Sequence, residues 1–158
     1  MIDVALRTVH VLAVIVWIGG MVFAHHSLRP AVARREVPVR LRLMHDVLGR
    51  FFRTVLVASL LTLASGVWML GRMAKRVVQS GGPFEMPLAW TVMATLGVVM
   101  VAIFLYVRFV PFRTLDRAVA ASDWSTGGAA LARIRTMVSI NLGLGALVLV
   151  VTLMRGAA

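Results

Sequence analysis

The chain contains no cysteine and only six acidic residues among its 158. The absence of cysteine excludes disulfides, thiolate metal sites and thiol catalysis. No aspartate or glutamate lies near the centre of a long apolar run, which disfavours a proton-coupled transporter and an acid-lined cation channel. A phosphate-binding glycine loop, a metalloprotease motif and a hydrolase serine motif are also absent.

Long apolar runs dominate what is present. The chain is 60% hydrophobic with a mean hydropathy of +0.91, far above a typical soluble domain. The runs predict membrane-spanning helices at about residues 9–28, 54–70, 86–107 and 137–154, with the second helix extended from about residue 39. The connections are short. We therefore expect an all-α, integral membrane, up-down four-helix bundle that forms a single transmembrane domain over residues 1–158.

The 17 basic residues, 16 of them arginine, give a formal net charge of +11. They lie mostly between the apolar runs, which indicates membrane-flanking charge and a lipid bilayer as partner rather than nucleic acid. The first and third connections hold most of them, so the positive-inside bias predicts that these face the cytoplasm of a bacterial inner membrane. Both termini are then periplasmic or extracellular. Formation of an oligomer stays open.

Two local patterns predict breaks in the helices. Pro111 lies shortly after the third apolar run and predicts a kink there. The cluster Ser125-Thr126-Gly127-Gly128 predicts a turn before the fourth helix.

All four histidines lie within the first 45 residues, and His10 lies inside an apolar run. An ionisable ring in hydrocarbon is costly without a partner, so His10 is a candidate functional residue. His10 and His25 are 15 positions apart, or about 22 Å along a straight helix. One metal ion or haem iron cannot be bound by both, and the histidines therefore predict two separate layers of ligands.

The inner layer, on the cytoplasmic side, combines His25 with His45. If His10 faces the bundle, helical rotation turns His25 the same way and His26 away from it, but which of the two faces the bundle stays open. Two imidazoles near Arg50 and Arg53 could hold haem b, with the iron between the rings and the propionates on the guanidinium groups. The alternative is that these side chains contact only lipid headgroups and water.

The outer layer contains His10 alone among the histidines. Antiparallel packing brings the ends of other helices to its depth, and these carry Met69, Met93, Met154, Trp68 and Trp90. A histidine with methionine can ligate a haem iron or a Cu(I) ion. The alternative is that His10 only forms a hydrogen bond to a neighbouring helix while the methionines fill apolar space.

Several segments resemble a known family. His10-Val-Leu-Ala-Val-Ile-Val-Trp17-Ile-Gly-Gly20 resembles the first helix of the CopD-like membrane proteins and is similar to that of the related HemJ-type protoporphyrinogen oxidases. The second helix resembles the same group through Arg50-Phe-Phe-Arg53 and Leu63-Ala-Ser-Gly66-Val-Trp68-Met-Leu70. Trp90 resembles the opening of the third helix in that group, and Arg133-Ile-Arg135 resembles the entry to its fourth helix.

The resemblance implies a four-helix membrane fold with His10 as the main site residue. It also implies haem b binding for the HemJ branch and copper handling for the CopD branch. HemJ-type proteins carry a lysine where this chain has Met93 and a histidine late in the third helix, where this chain has none. The missing lysine disfavours protoporphyrinogen oxidation.

Three hypotheses of function follow. The first is a haem b redox protein, a haem-dependent membrane oxidoreductase that exchanges electrons with a quinone, a redox partner or a small porphyrin-like substrate. The second is a non-enzymatic copper-handling protein that acts in resistance or uptake. The third is a structural or assembly subunit whose histidines only form hydrogen bonds between helices.

Overall fold

The computed structural model describes residues 1–81, 83 and 85–156, and is helical with no strand among them. Gly82, Phe84, Ala157 and Ala158 belong to the predicted domain but lie outside the described residues. The elements are α1 (Ile2–Phe23), a π-helical segment (Ala24–Leu28), α2 (Arg29–Ala33), α3 (Val37–Gln79), α4 (Leu88–Phe109), α5 (Pro111–Ala120) and α6 (Trp124–Gly156). The predicted all-α fold class is confirmed.

Four helical stretches in the described part of the chain are long and apolar enough to cross a membrane: Ile2–Ala33, Val37–Gln79, Leu88–Ala120 and Trp124–Met154. The chain is therefore a multi-pass membrane protein. Each stretch extends beyond its apolar run, because arginine and other good helix formers continue the helix into the headgroup region. The second stretch begins at Val37, with a proline in its first turn, where the missing N–H is no loss.

Ion pairs at both ends of the bundle establish the up-down arrangement. Near the start of α1, Asp3 Oδ1 lies 3.0 Å from Arg72 Nε, and its Oδ2 lies 2.7 Å from Arg76 Nη2, near the end of α3. At the opposite end His45, near the start of α3, contacts Asp116 of α5. We call the end with Asp3 the terminal end and the end with His45 the connection end.

A column of aromatic rings joins the helices from the bundle centre to the connection end. Trp17 of α1 packs edge-to-face on Phe104 of α4 at a centroid distance of 6.2 Å. Phe104 packs on Phe52 of α3 at 6.0 Å, and Phe52 on Phe112 of α5 at 5.1 Å. His45 stacks on Phe112 at 5.5 Å. Edge-to-face geometry is favourable for aromatic pairs, so the column helps to fix the rotation of four helices.

The π-helical segment has a local cause. The Arg29 N–H donates to the Ala24 carbonyl, five residues back. Pro30 has no N–H to continue the ladder of α-helical hydrogen bonds, and single π turns occur where that ladder is interrupted. One extra residue rotates the following chain by about 100° relative to an uninterrupted α-helix. Val32 of α2 is consequently turned into the core.

Pro111 breaks the third helical stretch, as its position suggests. Val110, between α4 and α5, has φ −113° and ψ −82°, because a proline ring disfavours helical geometry in the residue before it. The bend lets α5 lie against α6 and bury Phe112 and Leu115.

The predicted turn at residues 125–128 is wrong, because these residues form the first turns of α6. The turn lies earlier, where Ser122 adopts φ 56°. Asp123 then starts the helix, and its Oδ1 accepts the backbone N–H of Thr126 at 3.0 Å. Hydrogen bonds from Thr126 lower the pKa of Asp123. At Gly127 a Cβ would lie 3.2 Å from an α3 side chain, so glycine here serves close packing.

The contact of α1 with α3 gives a matched pair of glycine variants. A Cβ on Gly20 would overlap the ring of Phe51 in α3, whereas a Cβ on Gly19 would meet nothing within 4 Å. We predict that Gly20→Ala lowers the free energy of unfolding by about 1–3 kcal/mol, the usual cost of overpacking. Gly19→Ala should leave it unchanged or raise it by up to about 1 kcal/mol, because alanine favours helix. Thermal unfolding in detergent measures both, and equal stability of the two variants would contradict this packing.

Candidate functional site

His10 lies on the face of α1 that packs against α3. Its Nδ1 is 2.9 Å from Oγ of Ser65, a serine that is 4% exposed. The neighbouring Gly66 leaves room for the ring, because a Cβ there would lie 3.4 Å from His10 Cε1. The polar ring in the first span thus has a partner on the second span, as its cost in hydrocarbon requires.

The surroundings of Ser65 decide which ring nitrogen of His10 carries the proton. The Ser65 hydroxyl also donates to backbone carbonyls one turn back in α3, those of Leu61 and Thr62. A hydroxyl has one hydrogen, so with that hydrogen used its oxygen accepts from Nδ1–H of His10. Nε2 then keeps its lone pair. Metal-binding histidines share this arrangement, with the second ring N–H held by an acceptor.

Met93 of α4 lies at the depth of His10. A Cβ on Gly145 would lie 3.0 Å from Ile18 Cδ1 and 3.3 Å from Met100 Cε, so Ile18 and Met100 are level in the membrane. Because α1 and α4 run in the same direction, Met93, seven residues before Met100, lies at a depth similar to that of His10, eight residues before Ile18. Met93 lies seven residues, or about two turns, before the buried Met100. The two side chains therefore lie on the same inward face of α4.

Met69 lies one turn beyond Ser65 on the same face of α3 and is half-buried. Thr62, also on this face, has a buried Oγ1 without a hydrogen-bond partner among the described residues. Trp68 and Met154, in contrast, are 60% and 70% exposed and face the lipid. We call His10, Ser65, Met69 and Met93 the His10 site.

The residues of the predicted inner layer lie apart. Nδ1 of His45 is 3.0 Å from Asp46 Oδ1, and Nε2 is 2.8 Å from Asp116 Oδ1 on α5. Both ring nitrogens therefore already contact carboxylates. Arg50 and Arg53 are exposed, and Nε of Arg53 donates to a carbonyl of its own helix.

His25 instead faces α6, where its Nδ1 is 3.4 Å from Ser139 Oγ. It is half-buried while His26 is exposed, in agreement with the helical rotation. The structure thus places His25 and His45 against different helices, α6 and α5, and does not bring them together as a pair of haem ligands.

The available space does not support haem b either. The cavity at the bundle centre, between Trp17, Phe52 and Asn141, has a volume of about 10 Å³, roughly the space for one water. A second cavity, beside His25, has a volume of about 250 Å³, and its lining residues do not include His45, Arg50 or Arg53. Within the described residues no group of three or more histidine, aspartate or glutamate side chains is arranged to hold a metal ion.

Sequence reasoning missed Ser65 as the partner of His10 and Asp3 as the partner of Arg72 and Arg76. The sequence did contain a signal for each of these two contacts. The first two spans are antiparallel neighbours, so the acid that begins the first lies near the arginines that end the second. A serine beside a glycine in an apolar helix also marks a place where another helix approaches closely.

Comparison with known families gives one match. A family model described as CopD, copper resistance protein D, matches residues 45–155, more than half of the chain. The matched segment includes Ser65, Met69 and Met93, and His10 lies before it. The predicted relation to HemJ-type proteins stays a prediction. No curated protein and no solved structure matches the chain.

The contact between His10 and Ser65 predicts energetic coupling. In a double-mutant cycle of His10→Ala and Ser65→Ala we expect a coupling free energy near the membrane average of about 0.6 kcal/mol, and no more than about 1.7 kcal/mol. Ser59→Ala is the control, because Ser59 is also buried but bonds only to Leu56 of its own helix. Unfolding in detergent gives the free energies. Fully additive effects of the His10 and Ser65 substitutions would show that the contact is absent.

Proposed function

The chain belongs to the CopD family, and from this premise we propose that it handles copper in the membrane, with Cu(I) bound at the His10 site. The observation that carries the proposal is the geometry of His10. Its Nδ1 is held by Ser65, which leaves Nε2 as a ligand. Met69 lies one turn from Ser65, and Met93 lies at the same depth as His10.

The ligand chemistry of the site suits Cu(I). Thioether sulfur and imidazole nitrogen are ligands that select soft Cu(I) over hard cations such as Mg²⁺ or Ca²⁺. The chain has no cysteine, so methionine supplies its soft ligands. Copper is the cargo in this proposal, and the residues serve to bind it, orient the ring and exclude water.

The proposed orientation follows from the distribution of arginines. The first and third connections face the cytoplasm of a bacterial inner membrane, and the terminal end faces the periplasm or exterior. His10 lies seven residues after Asp3, or about 10 Å deeper along α1. Copper would therefore reach the His10 site from the outer side.

Copper binding by purified protein tests the proposal. We expect Cu(I) to bind at one equivalent per chain and to lose at least tenfold in affinity in His10→Ala. Met69→Leu and Met93→Leu, which keep the side chains apolar, should each weaken binding by a smaller factor. The matched control is His26→Ala, because His26 is exposed and lies outside the His10 site.

Competition with a Cu(I) chelator of known affinity measures these constants. Equal affinities of wild type and His10→Ala would refute the copper site. A Soret band in protein from haem-replete cells that disappears in His10→Ala would favour the haem hypothesis instead.

The absence of cysteine makes orientation easy to test. Single cysteines at Ser80, after α3, and at Ser125, in the first turn of α6, are at exposed positions on opposite ends of the bundle. In intact spheroplasts a membrane-impermeant maleimide should label Ser80→Cys and leave Ser125→Cys unlabelled until the membrane is broken. The reverse pattern would show that the terminal end faces the cytoplasm.

A further inference from the structure

A cavity of about 250 Å³ lies at the connection end, and neither His45 nor any residue of α5 is among its lining residues. Its polar lining comes from His25 and from three arginines, Arg29 of α2, Arg40 of α3 and Arg135 of α6. Most of its other lining side chains are apolar: Ala24, Val32, Ala33, Leu41, Met44, Leu48, Leu131, Ile134 and Val138. One water needs roughly 10–15 Å³, so the cavity can admit a much larger group.

The cavity lies at the level of lipid headgroups. His25 follows Asp3 by 22 residues, which is about 33 Å along a helix. The hydrocarbon core of a bilayer is about 30 Å thick. With Asp3 and its arginine partners at one surface of the membrane, His25 and the cavity lie at the other.

Positive charge in the cavity is not balanced by the protein. No acidic residue lines it. The ion pairs found in the described part of the chain use Asp3, Asp46 and Asp116, and none includes Arg29, Arg40 or Arg135. Three arginines from three helices thus line one cavity, where an anion would offset the mutual repulsion of their charges.

Local backbone features build the cavity. The π-helical segment contains His25 and ends where Arg29 begins α2. Opposite, Gly128 of α6 lines the cavity without a side chain, and a Cβ there would meet nothing within 4 Å. The space therefore depends on a π turn and a glycine, and a larger residue at position 128 would fill it.

We propose that this cavity binds the phosphate group of an acidic phospholipid from the leaflet at the connection end. Arginine is suited to phosphate because its planar fork can donate two parallel hydrogen bonds. Basic pockets between membrane helices are suited to anionic headgroups, and the apolar wall of this one accommodates the glycerol and the start of an acyl chain. A free phosphate ion would use the guanidinium groups but gain nothing from that wall. This site is separate from the His10 site and does not depend on copper.

The first test is titration of the purified full-length protein in detergent with phosphatidylglycerol, read by native mass spectrometry and by melting temperature. We expect Arg40→Gln/Arg135→Gln to weaken binding at least tenfold, because the variant loses two charge-assisted contacts to the phosphate. The control is Arg34→Gln, an exposed arginine of the same connection that does not line the cavity. An equal loss in the control would overturn the proposal, because general surface charge would then explain binding.

Two further arms identify the ligand. Phosphatidylcholine and inorganic phosphate should each raise the melting temperature less than phosphatidylglycerol does. Each is added at the concentration at which the effect of phosphatidylglycerol is saturated. Gly128→Leu should abolish the phosphatidylglycerol effect while the unliganded protein melts near the wild-type temperature. Equal stabilisation by inorganic phosphate would overturn the assignment to a lipid. Unchanged lipid binding in Gly128→Leu would overturn the assignment to this cavity.

Discussion

The close packing of α1 against α3 is the contact on which the proposed site depends. It is held at three depths: Asp3 pairs with two arginines at the terminal end, His10 meets Ser65 within the membrane, and Gly20 lies against Phe51 nearer the connection end. The three contacts share one antiparallel register. That register gives His10 its acceptor, and the acceptor leaves Nε2 as the nitrogen able to bind a metal ion.

The two ends of the bundle have different chemistry as a result. In the terminal half of the bundle, Asp3 offsets arginine charge, and the deeper His10 site presents uncharged nitrogen and sulfur ligands. At the connection end three arginines line a cavity that has no acid, while Asp46 and Asp116 contact His45 instead. Soft neutral ligands suit Cu(I), whereas unbalanced guanidinium groups suit phosphate. One small helical bundle can therefore carry two sites without competition between their ligands.

The sequence predicted the architecture well because hydrophobic runs of membrane length have few alternative folds. Helical rotation from His10 favoured His25 over His26 as the inward ring, and His25 is the more buried of the two. It failed at residues 125–128, where composition suggested a turn. There the Asp123 side chain caps the helix and Gly127 lets α6 pack closely. The cap is a local signal that the sequence already carries, whereas the close packing at Gly127 is not visible without knowing which helices are neighbours.

The candidate site was only partly predictable for the same reason. His10 was conspicuous because its polar ring lies in an apolar run. Its partner Ser65 and the level position of Met93 depend on the register between helices, which spacing along one helix cannot give. The haem hypothesis paired His25 with His45 because both lie on one side of the membrane. The structure turns one towards α6 and the other towards α5.

The most direct measurement is copper K-edge absorption spectroscopy on purified protein loaded with one equivalent of Cu(I). The account predicts a first shell that contains one imidazole nitrogen together with thioether sulfur, and a reduced sulfur contribution when Met69 and Met93 are both changed to leucine. In His10→Ala the imidazole signal should disappear. A first shell of nitrogen and oxygen only, unchanged in these variants, would contradict copper binding at the His10 site.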